Sequence, residues 1–117
     1  MKIDKTISVP IYDFLIRVVV SDNEEEFEQD VLDAGFEEDV AGAAMIVLHS
    51  GYKVYTLVID KNGISNGNIA HESLHIVNRI WRDIGSNWFY DDDEPQCYLI
   101  GFIVDCIHKI IEDGSED

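Results

Sequence analysis

Basic residues are scarce in this chain of 117 residues. Eight Lys and Arg face 24 Asp and Glu, for a formal charge of −16. A surface of that sign repels phosphate backbones and anionic lipid headgroups. It argues against direct contact with nucleic acid or membrane. Proline is scarce too, with only Pro10 and Pro95, so long uninterrupted elements are allowed. No run reaches the roughly 18 apolar residues of a membrane helix. The N-terminal stretch Met1-Lys2-Ile3-Asp4-Lys5 has no apolar core or cleavage site of signal type. The expected location is the cytoplasm. The two cysteines, Cys97 and Cys106, are nine positions apart. On one helix that is about 13 Å, too far for a disulfide. They read as reduced core residues.

What remains is ordinary globular material. Apolar residues make up 46% and charged residues 27%, enough for one core in one domain. Residues 1–117 read as a single domain. Residues 1–64 hold a sheet and a first helix, 65–112 a helix pair, and 113–117 an acidic tail. Residues 12–20 alternate apolar positions and predict a strand covered on both faces. Residues 23–34 predict a helix with Phe27, Val31 and Leu32 inside and Gly35 at its end. The apolar runs 40–50 and 52–60 flank His49-Ser50-Gly51-Tyr52 and predict a hairpin.

A long helix is predicted over 65–84. Ala70, Leu74, Val77, Trp81 and Ile84 form its expected apolar stripe, and Gly85 ends it. A loop with Trp88, Phe89 and Tyr90 follows, expected to lie over the helix turn. The next helix, over about 93–112, opens on Asp93-Glu94-Pro95-Gln96, which suits a capped N-terminus. It is apolar nearly all round, so it is expected inside the domain or at a homodimer interface. The predicted order is strand, helix, strand, strand, helix, helix. That is an α+β fold, with a small, mainly antiparallel three-stranded sheet packed on helices.

One constellation carries chemistry. His71-Glu72-Ser73-Leu74-His75 matches the H-E-x-x-H pattern. Residues four apart on a helix differ by about 40° in direction, so two imidazoles can converge on one zinc ion. Glu72, about 100° from His71, can take a proton from a zinc-bound water and pass it to a leaving amine. With that stripe, the histidines are expected to face a cleft near the sheet. His49 and His108 read as turn or surface residues, and Asn78 and Arg82 as a continuation of the histidine face.

Residues 68–104 resemble the active-site helix pair of gluzincin metallopeptidases, a zincin-like fold. Size and element order are similar to minimal gluzincins and to short zinc-peptidase-like proteins of phage. The three-histidine variant does not apply, because its third position holds Trp81. The resemblance implies one zinc per chain, held by His71, His75 and Glu94, with Glu72 as general base. Asp91, Asp92 and Asp93 are rival third ligands. Tyr98, one turn after Glu94, is a candidate to bind a ligand or a substrate oxyanion. Asp105 is a candidate to orient an imidazole. Gly101 would let the two helices approach closely. The resemblance implies a peptide or protein substrate lying along the sheet's edge strand. The alternative is an acidic binding or inhibitor module that mimics nucleic acid on an inactive scaffold.

Overall fold

The computed structural model describes residues 3–10, 12–36, 43–85 and 91–116. The loop aromatics Trp88, Phe89 and Tyr90 lie outside these residues. The elements run β1 (Ile3–Val9), β2 (Phe14–Ser21), α1 (Glu24–Asp33), β3 (Met45–Gly51), β4 (Val54–Asp60), α2 (Asn66–Asp83) and α3 (Glu94–Glu116).

The sheet has four strands in the order β1-β2-β4-β3. This corrects the expected three-stranded, mainly antiparallel sheet in two ways. First, β1 is a full strand, paired antiparallel to β2 from Ile3↔Val20 to Val9↔Phe14. Its alternation is hidden by charge: Asp4, Lys5 and Thr6 are exposed, and Ile3, Ile7 and Val9 are buried. Arg17 Nη2 binds Asp4 at 2.6 Å across this pair. Second, the two central strands, β2 and β4, are parallel, with Val18 opposite Leu57. Parallel neighbours need a crossover. Here α1 and β3 supply it.

The predicted hairpin forms. β3 pairs antiparallel with β4, with a register shift between His49 and Gly51. The turn falls at Tyr52 and Lys53, two residues later than the expected centre at Ser50 and Gly51, and Lys53 takes φ 59.

Helices cover both faces of the sheet. On one face, Phe27 and Val31 of α1 pack on Val58. On the other, α2 and α3 pack on Ile7, Phe14, Ile16, Val18, Tyr55, Leu57 and Ile59. The second half of β2 is therefore buried on both sides, from Val18 to Ser21. Asn23 caps α1 by accepting from the Glu26 N–H at 2.8 Å, and Gly35 leaves it at φ 99. Glu24, Glu25 and Glu26 fill its first turn, where negative charge suits the helix dipole.

Leu99, Ile103 and Ile107 of α3 are buried in the large core, and Ile100, Phe102, Val104, Ile110 and Ile111 are half-buried against it. Among the described residues no helix is long and apolar enough to cross a membrane. Both cysteines are free. Cys106 is half-buried, but Cys97 is exposed and not a core residue.

Candidate metal centre

The start of α2 is fixed by a reciprocal cap. Ser65 Oγ accepts from the Asn68 N–H, and Asn68 Oδ1 accepts from the Ser65 N–H, each at 3.1 Å. From that start the helix turns its core face through Ile69, Ser73, Ile76, Val77, Ile80 and Trp81. This differs from the expected stripe. Leu74 and Ile84 are exposed, at 42% and 39%, and Ala70 is exposed as well. Ile69, Ile76 and Ile80 recur at steps of seven and four, an equally good helical period, and the β-branched side chains win the core.

The rotation decides where the motif faces. His71 and His75 are exposed and Glu72 is half-buried. The imidazoles point to solvent, away from the core face, rather than into a cleft against the sheet. Asn78 and Arg82 share that solvated side and are exposed. Glu72 stands between the histidine face and the core face.

The motif closes on itself. His71 Nε2 and His75 Nε2 are 3.2 Å apart, and the rings meet edge to face with centroids 4.9 Å apart. Tetrahedral zinc with Zn–N bonds near 2.0–2.1 Å separates two nitrogens by about 3.3–3.4 Å. The pair therefore has the spacing that one ion requires. Glu72 completes a group whose ligand atoms all lie within 4.8 Å of one another.

The remaining candidates lie apart from this group. Glu94 is the first residue of α3 and is exposed. It is not a member of the 4.8 Å group, and nor are Asp91, Asp92 and Asp93. Glu94 has no hydrogen-bond or salt-bridge partner among the described residues. Tyr98 is 76% exposed and borders a 410 Å³ apolar cavity with Pro10, Tyr12, Pro95, Leu99 and Phe102. Tyr12 in turn packs on Trp81, with ring centroids 5.4 Å apart. Trp81 follows His75 by six residues, about 9 Å along the helix. The Tyr98 end of α3 thus meets the last turns of α2.

Glu94, Tyr98, Gly101 and Asp105 are all exposed. They form the solvent face of α3. Gly101 is not a point of close helix approach: a Cβ there would meet nothing within 4 Å. Asp105 orients no imidazole of α2 from that face. His108 is half-buried. His49 is exposed near the end of β3, its ring 5.3 Å from that of Tyr55.

Two residues of α2 escaped the sequence reading. Ser73 is fully buried, and its hydroxyl has no partner among the described residues. Arg79 is half-buried. The available signal for Arg79 was its spacing of seven from Glu72, two helical turns.

Charge is also uneven. Glu72 and Asp83 are balanced by Arg79 and Arg82 within α2, while the whole chain carries −16. The motif helix is thus a neutral island on an acidic protein.

The chain matches no family model, no curated protein and no solved structure.

Proposed function

We propose that this protein is a zinc-dependent peptidase-like hydrolase, in which His71 and His75 hold one zinc ion and Glu72 serves as general base. The single observation that carries the reading is the 3.2 Å separation of the two imidazole Nε2 atoms, with Glu72 in the same group. Zinc lowers the pKa of a bound water and polarises a carbonyl. With zinc bound there, Glu72, beside the two ligands, would be the residue placed to hold and pass on a proton as general base.

Two histidines leave a tetrahedral ion short of a third protein ligand. The resemblance to gluzincins assigns that role to Glu94, whose carboxylate is exposed and unpaired among the described residues; it stands outside the 4.8 Å group, so binding requires it to move toward the ion. The zincin-like reading of the fold is part of this proposal. The edge strand β3 is then the site for an extended peptide. Tyr98 remains a candidate for the substrate side of the site.

Elemental analysis of protein purified without chelators tests the metal. The expected result is about one zinc per chain. Its absence removes the enzyme reading. Glu72→Gln is expected to keep the zinc and lose hydrolysis.

The charge of −16 favours a second reading, an acidic module that binds a basic protein in place of nucleic acid. Competition with DNA for such a partner, unchanged by His71→Ala, would select this reading over the enzyme.

A further inference from the structure

Arg79 shares a flank of α2 with the metal-binding group. It follows Glu72 by seven residues and His75 by four. The helix therefore sets it about 20° from Glu72 and about 40° from His75 in direction, and about 6 Å beyond His75 along the axis. The side chain is half-buried. One helical turn further on, Asp83 binds the Tyr55 hydroxyl of β4, so this flank of α2 borders the sheet.

Arg79 has no acidic partner among the described residues. Asp83, four residues on, is where such a pair would form on a helix. That carboxylate instead accepts the hydrogen bond of Tyr55, and it faces Arg82 at 3.9 Å. No carboxylate among the described residues lies within 4.0 Å of an Arg79 nitrogen. In a chain this rich in carboxylates, an arginine that is half-buried beside two histidines and unpaired among the described residues stands out. A guanidinium in that setting is built to accept an outside carboxylate through paired N–H donors. The formal charges of α2 sum to zero, so the helix itself adds no net repulsion to an approaching anion.

We propose that Arg79 binds a substrate carboxylate one residue beyond the scissile bond, so that the protein selects peptides carrying negative charge there. The assignment rests on the zinc reading of His71 and His75. An extended chain advances about 3.3–3.6 Å per residue. A carbonyl at the metal and a carboxylate one residue further on therefore suit two groups about one helical turn apart. The carboxylate is either the peptide's own C-terminus or an acidic side chain.

The test uses the full chain loaded with Co2+, whose visible absorption reports on the metal's ligands. Succinate and succinamate are titrated separately; they match in length, but succinamate replaces one carboxylate with an amide. Wild-type protein is expected to bind succinate about tenfold more tightly, the size of one charge-assisted contact. Arg79→Ala is expected to abolish that preference, and Arg79→Lys to retain part of it. Both variants are expected to keep the wild-type cobalt spectrum before ligand is added. Equal affinities in the wild type, or a preference kept in Arg79→Ala, overturn the assignment. A chain that takes up no cobalt overturns the zinc reading itself, and that is seen before any ligand is present. Glycyl-glycine, its amide (Gly-Gly-NH2) and glycyl-aspartic acid α-amide (Gly-Asp-NH2), whose side-chain carboxylate is free, then locate the charge. Tighter binding of the free dipeptide than its amide assigns the contact to a chain terminus. Tighter binding of Gly-Asp-NH2 than Gly-Gly-NH2 assigns it to an acidic side chain. No discrimination in either pair overturns the proposal.

Discussion

Tyr55 of β4 donates its hydroxyl hydrogen to the carboxylate of Asp83 in the last turn of α2. The bond joins a buried strand residue to a helix end 28 positions later, and so anchors the metal-motif helix to the sheet. Tyr55→Phe keeps the ring and its stacking on Phe14, at 6.0 Å between centroids. It removes only the bond. Because Asp83 can turn to water, the expected loss is about 1 kcal/mol, read from denaturant unfolding.

The same contact predicts a pH dependence. Burial, then the hydrogen bond to Asp83 and the charge of Asp83, push the Tyr55 hydroxyl above its ordinary value, against the opposing charges of Arg82 and Arg79. A raised folded value contributes stability that is fully present below the unfolded value, about 10. That contribution is lost as pH rises above it. Wild-type stability is expected to fall between roughly pH 10 and 12, and Tyr55→Phe to show a shallower decline over the same range.

The rotation of α2 can be checked with two truncations. Ile76 is fully buried and Leu74 is 42% exposed. Ile76→Ala is expected to cost about 2–5 kcal/mol, and Leu74→Ala less than about 1 kcal/mol. A larger cost for Leu74→Ala than for Ile76→Ala in urea titrations would mean that Leu74, not Ile76, faces the core.

Ser73 sits inside the motif and inside the core. Its hydroxyl is buried without a partner among the described residues, which carries a desolvation penalty of about 1–3 kcal/mol. Ser73→Ala is therefore expected to leave stability unchanged or raise it by about 1 kcal/mol. Zinc uptake should be unaffected. A clear loss of stability would point to a hydrogen bond made by this hydroxyl.

Zinc removal should weaken the fold, because an ion held only by the native state stabilises it. At free zinc a hundredfold above the dissociation constant, the gain is about 2.7 kcal/mol, or roughly 10 °C in melting temperature for a domain of this size. Chelator is expected to remove that increment from the wild type and to leave His75→Ala unmoved. Glu94→Gln is expected to reduce zinc affinity at least tenfold, in line with its assignment as third ligand. Unaltered affinity in equilibrium titration would end that assignment.

Much of the architecture was legible because it rests on local chemistry. Gly35 and Gly85 end their helices at φ 99 and φ 72, conformations that glycine adopts without steric cost. Ser65 caps α2, one of the residues able to do so. The hairpin could be read from two β-rich runs around a short turn. The first strand was harder: Asp4, Thr6 and Ser8 lie on its outer face, and Lys5, on the same face as Ile3 and Ile7, interrupts the apolar alternation.

The sequence by itself determined that His71, Glu72 and His75 would gather, because a helix brings residues one turn apart together wherever it lies. It also determined the acidic charge and the scarcity of basic partners. Only the tertiary structure decided which side of α2 meets the sheet. Two apolar stripes compete there, and the winner is the one whose isoleucines fill the space above Leu57 and Ile59. That choice turned the histidines to solvent, set Glu94 apart from them, and left Arg79 half-buried beside them. The parallel pairing of β2 with β4 was likewise a long-range outcome, since no local signal tells a strand which neighbour it will find.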